Sequence, residues 1–309
     1  MAELVYAQVL GTCAERLGGS SPPGSTLFPL TPFPNFCYDE SMRKFLLLGI
    51  LVFLTAVPLS IVVASSQQAY QDYLYQFDRY RQTYSDFQRA KDTYFKYRSL
   101  TSQTAAVSAA QTMMTQRNLL LRGYLLFLNE KLNEDQGLGG SAKQQYQGNI
   151  QEELTFLETQ NQHIAGLTSI DEATSTSKLL ETHYVPLQIT IRQTIIGISL
   201  GKLSALARAF DQNFQTAQTL VSANADVLAP EKISVVNRWL AQIQNTRSLY
   251  QQKIDEIESF AATSFTRVTI LSDIDQKLAD ISKKFTEAQQ LLTQETSYLG
   301  EVVTALQYK

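Results

Sequence analysis

Beyond residue 66 the chain has no cysteine and only two prolines, Pro186 and Pro230. A β-sandwich or a nucleotide-binding α/β domain needs a turn every ~10 residues, so this scarcity of breakers excludes both and predicts an all-α body. Both cysteines, Cys13 and Cys37, fall within residues 1–41, which leaves the body without a zinc ribbon or a thiol nucleophile. The two histidines, His163 and His183, have no partner at helical i,i+4 spacing, so metal-ligand spacing is absent. Basic residues number 26 against 29 acidic ones, and a formal net charge of -3 gives no electrostatic footprint for nucleic acid.

Residues 1–41 follow different rules. They hold five prolines and four glycines, and their scattered apolar residues have nothing to pack on. The composition is that of a disordered tail. Ala2-Glu3-Leu4-Val5 can be reverse-translated as GCGGAGTTGGTA and Gly19-Ser20-Ser21-Pro22 as GGTTCAAGTCC. These strings resemble the D-arm and TψC-arm of a leucine transfer-RNA gene, in the right order. The resemblance implies a reading frame extended through a neighbouring RNA gene, with the true start at Met42. Without residues 1–41, which contain Arg16 but also Glu3, Glu15, Asp39 and Glu40, the remainder carries 25 charges of each sign.

Residues 42–66 form the second segment. After Arg43-Lys44, Phe45 to Ala64 is a run without a charge, rich in Leu, Ile, Val and Phe. A helix of ~20 residues spans the ~30 Å hydrocarbon core, and Pro58 is tolerable in a membrane helix. Arg43 and Lys44 keep the amino side in the cytoplasm, so the expected topology is a single pass of the cell membrane with the body outside the cytoplasm. A second reading is a signal peptide cleaved after Ala64, which would make the body secreted. The body is exported under both.

The body, 67–309, is strongly periodic. Tyr70, Tyr73, Phe77, Tyr80, Tyr84, Phe87 and Tyr94 recur at spacings of three, four and seven, placing one aromatic seam along a helix. Such a seam is a core stripe, an interaction surface for a partner helix, or a row of stacking platforms. A second stripe, from Val107 to Leu128, is displaced by two positions relative to the first, which marks Ser99–Thr104 as a hinge or a place where the helix changes partners. Turn chemistry follows at Asn133–Gly140. Ser141 with Gln144, Ser169 with Glu172 and Ser272 with Asp275 read as helix starts, Pro230 as a first-turn proline, and Pro186 as a kink or break. The expected fold is a single transmembrane helix followed by an elongated antiparallel bundle of four to five long helices with coiled-coil-like heptads.

No catalytic constellation, cofactor motif or metal site emerges, so an enzyme is not expected. Glu152-Glu153 and Asp255-Glu256-Ile257-Glu258 read as solvated helix faces rather than as an acid/base pair. Gly137-Leu138-Gly139-Gly140 follows a helix instead of a strand and reads as a turn. Arg117 stands at a core-phase position between Met114 and Leu121, where a cation needs a buried polar partner or an anionic ligand unless its stem carries it to the rim. The functional expectation is a membrane-anchored structural or interaction scaffold of the cell envelope. Its partners would be the membrane, through residues 45–64, and a protein or a second copy of the chain, through helix faces. The alternative is a ligand-binding sensor. The order of cytoplasmic stub, membrane helix and exported bundle resembles the front half of bacterial chemoreceptors and sensor kinases, but no return membrane helix or output domain follows. Ile189–Phe210, the most apolar later run, is interrupted by Arg192, Lys202 and Arg208.

Overall fold

A computed structural model describes residues 62–265 and 268–307. The described residues are all-helical and form six helices in order: α1 Val62–Tyr97, α2 Leu100–Glu134, α3 Gly140–Ala165, α4 Ile170–Ala223, α5 Pro230–Ser264 and α6 Leu271–Gln307. Among the described residues no helix is long and apolar enough to cross a membrane. The expected membrane segment, 45–64, lies outside the described residues except for 62–64, which already belong to α1.

The fold divides into two units. The first comprises residues 62–130 and 154–183. Its leading feature is an α1–α2 hairpin. The chain does not bend at a hinge between these helices but reverses, with Arg98 in the left-handed region at φ 48. Ser99 and Ser102 exchange reciprocal bonds, Ser102 N donating to Ser99 Oγ at 3.2 Å and Ser99 N to Ser102 Oγ at 3.1 Å, so Ser99 caps α2. That reversal explains why the two stripes differ in phase. Antiparallel pairing then sets Tyr73 against Tyr124 at 5.1 Å and Tyr70 against Phe127 at 5.3 Å between ring centroids. Gly123 faces α1 across this contact, where a Cβ would lie at ordinary van der Waals distance, 3.5 Å, from the Tyr73 Cα.

The second unit comprises 131–153, 184–265 and 268–307. Its core runs along α4, α5 and α6 and includes Phe210, Val236, Ile243, Tyr250, Ile257, Ile274, Ile281, Ala288 and Val302. The stretch from Leu187 to Leu203 is buried on almost every side, which accounts for its apolar character without any membrane. Gly201 and Gly137 permit this enclosure: a Cβ on Gly137 would lie 1.6 Å from the Gly201 carbonyl oxygen. Antiparallel contacts between α5 and α6 include Trp239 stacked on Tyr298 at 5.3 Å and Lys253 bonded to Glu287 at 3.0 Å.

Several local readings need correction. Pro186 neither ends nor divides a helix: α4 runs through it for 54 residues. α3 begins at Gly140, with Lys143 N donating to Gly139 O, so Ser141 lies inside the helix rather than capping it. α6 likewise begins at Leu271, ahead of Ser272. Ser169 does cap α4, accepting from Glu172 N at 3.2 Å, while the Glu172 carboxylate reaches back to Thr168 N at 2.7 Å and to its hydroxyl at 2.9 Å. Pro230 occupies the first turn of α5 as expected. Leu179 and Leu206, which keep the apolar helical period of α4, are more than half exposed.

Candidate functional site

The aromatic seam lies on α1 in the first unit. Tyr73, Phe77, Tyr80 and Phe87 are buried, Phe87 completely; Tyr84 and Tyr94 are half-buried and Tyr70 is exposed. Burial pushes the Tyr73 hydroxyl up, with Tyr124 and Tyr70 adding to the effect. Stacking platforms need open ring faces, and four of these seven rings are enclosed by the chain's own packing.

Arg117 is on α2 with 2% of its surface exposed, so its guanidinium does not reach the rim. The residues on either side are buried as well. Gln116 Nε2 donates to Gln76 Oε1 on α1 at 2.6 Å, and Asn118 Nδ2 donates to Asn161 Oδ1 on α3 at 3.0 Å. Gln160 Nε2 donates to Thr176 O on α4 at 3.4 Å. These bonds form a polar layer across all four helices of the first unit. A layer of hydrogen-bonded amides inside an apolar core sets helix register, because sliding one helix would leave amides unpaired at a cost of ~1–3 kcal/mol each.

In the second unit, Glu153 is buried and accepts from Thr190 Oγ1 at 3.2 Å, so it is not a solvated face residue. The turn after α2 is tied down by its own groups: Asp135 Oδ1 accepts from Gly137 N at 2.9 Å and Leu138 N at 2.7 Å, while Lys143 Nζ donates to Asp135 O at 2.6 Å. Lys202 is held below the usual lysine range by burial and by Lys131, with Asp135 and Glu134 opposing.

Glu295 on α6 falls in the heptad phase of Ile274, Ile281, Ala288 and Val302, a spacing that says nothing about its partners. It is completely buried, and the nearest cation, Arg247 Nη1 on α5, is 3.8 Å from its Oε2. Arg247 Nη2 is bonded to Asp211 Oδ2 on α4 at 2.5 Å. The available signal was an acidic residue in an unbroken apolar heptad.

Two open grooves lie along α5 and α6. One, of about 480 Å3, is lined by Leu249, Lys253, Glu256, Glu287, Leu291 and neighbouring glutamines. Its charges pair with one another, Glu256 accepting from Lys253 at 2.8 Å and from Lys284 at 3.1 Å, which holds its carboxyl below the usual range. The other, of about 300 Å3, is lined by Val235, Trp239, Glu301, Thr304 and Ala305 among others. Among the described residues no group of three or more His, Cys, Asp and Glu side chains is arranged to hold a metal ion. Comparison of the chain with protein-family models, with curated proteins and with solved structures returns no match.

Proposed function

We propose that the chain is a membrane-anchored helical-bundle protein whose body stands outside the cytoplasm and acts as a scaffold, meeting protein partners through its helix faces. The observation that carries this reading is the junction at residue 62. The charge-free run 45–64, preceded by Arg43-Lys44, overlaps the first three residues of α1, so no linker separates the apolar segment from the bundle. A bundle joined in this way would be held at a fixed attachment to the membrane rather than on a flexible tether. The use made of polar side chains supports a holding role rather than a chemical one. Gln111 donates to the Leu167 carbonyl at 2.8 Å, and Asn118, Gln116 and Lys143 similarly link elements within their own units.

The test is protease accessibility in intact cells combined with alkaline extraction of membranes. The reading expects the body to be cleaved from outside and the protein to resist extraction. A body that is protected in intact cells and released by alkali would overturn it. Release of a cleaved but soluble body would instead identify the secreted form produced by processing after Ala64.

A further inference from the structure

The most deeply buried charge-bearing side chain of the second unit, Glu295, lies where α4, α5 and α6 meet. Neither carboxylate oxygen of Glu295 has a hydrogen-bond partner among the described residues. Arg247 divides itself unequally, with its short contact to Asp211 at the half-exposed rim and its long one, 3.8 Å, to the enclosed Glu295. Its guanidinium also lies 4.9 Å above the Tyr250 ring, and the Tyr250 hydroxyl donates to the Leu203 carbonyl at 3.1 Å. The charged and titratable groups facing Glu295 are therefore Arg247 and Tyr250 from α5 and Asp211 from α4. One guanidinium cannot compensate two carboxylates. The one at the rim keeps water as well as the arginine, while the enclosed one has no donor, so the neutral acid is the form this packing favours.

We propose that Glu295 is a proton-binding site that links the surrounding pH to the closure of α4, α5 and α6, taking up one proton as these helices pack and returning it to solvent when they open. Burial pushes the Glu295 carboxyl up to about 7, with Arg247 pulling it down and Asp211 pushing it up. A carboxyl raised in the closed state binds more protons there than in the open state. Closure is therefore favoured at low pH, weakens as pH rises from ~4.5 to ~7, and levels off above that. The helices are poised to loosen across neutrality.

The sequence supplies a reporter. Trp239 of α5 is the single tryptophan, and it stacks on Tyr298 of α6. Denaturant unfolding of the full-length protein in detergent, followed by Trp239 fluorescence between pH 5.5 and 8.5, should show the opening constant rising about tenfold per pH unit until the profile bends near neutrality. Glu295→Gln should flatten that slope and move the pH 8 midpoint to higher denaturant. Asp211→Asn removes a repelling charge and should shift the bend to lower pH, whereas Arg247→Gln removes the attracting one and should shift it higher. A slope in Glu295→Gln equal to that of the unmodified protein would overturn the proposal. Should Glu295→Gln not fold, the half-exposed Asp211→Asn decides: a bend that does not move, or moves upward, also overturns it.

Discussion

Gly201 and Gly137 lie where backbones of the second unit touch. A Cβ on Gly201 would approach the Asp135 carboxylate to 2.2 Å, and the Gly137 position is tighter still, against backbone. Gly148 and Gly300 are different: both are inside helices, and a Cβ there meets nothing within 4 Å. Gly201→Ala is therefore expected to cost about 1–3 kcal/mol through overpacking. Gly148→Ala and Gly300→Ala should each gain about 0.5–1 kcal/mol, because alanine loses less backbone freedom in a helix. Thermal melts of the three variants should move in opposite directions. The aromatic seam gives a second contrast. Phe87 is completely enclosed and Phe77 nearly so, and truncating either to Ala should cost about 3–5 kcal/mol. Because the chain's own helices enclose these rings, the loss should not depend on protein concentration. A loss confined to high concentration would show that the seam is an interface between copies.

At the scale of elements, the start of α4 is held by polar contacts. Ser169→Ala should cost about 1 kcal/mol, the usual value for an N-cap hydroxyl, read from the denaturant midpoint. Glu172 works in the same place, its carboxyl held below the usual range first by the Thr168 backbone bond and then by the Thr168 hydroxyl. A carboxyl lowered on folding contributes above its ordinary titration range and loses that contribution as pH falls through the folded value. Glu172→Gln should therefore flatten stability on the acid side of the profile, opposite in sign and separate in pH from the effect at Glu295. Pro186 shows packing overriding local preference. A proline inside a helix costs ~3 kcal/mol, yet Leu187, Ile191, Ile196 and Leu200 just beyond it are all buried, and their combined burial, ~1.5–3 kcal/mol each, exceeds that penalty.

For the whole molecule, the proposed topology makes one direct prediction. A reporter active only in the cytoplasm, fused after Lys309, should be silent, while one active only outside it should work. The reverse pattern would refute export. The sequence by itself determined the helical class, the helix near Pro230 and the core faces of the first two helices, including Phe77, Phe87 and Met114. Apolar period and capping are local properties, readable without knowing what lies opposite. Other features were decided only by tertiary structure. The reversal at Arg98–Ser99 uses neither glycine nor proline, and Arg98 adopts a left-handed conformation that no residue type at this position announces. Leu179 and Leu206 follow the period but lie at the exposed margin of a stripe centred on Leu180, Leu203, Ala207 and Phe210, and which margin is covered depends on the neighbouring helices. The pairing of Glu295, Arg247 and Asp211 brings together three helices, and a carboxyl's protonation depends on burial and neighbouring charge, which no spacing along one helix encodes.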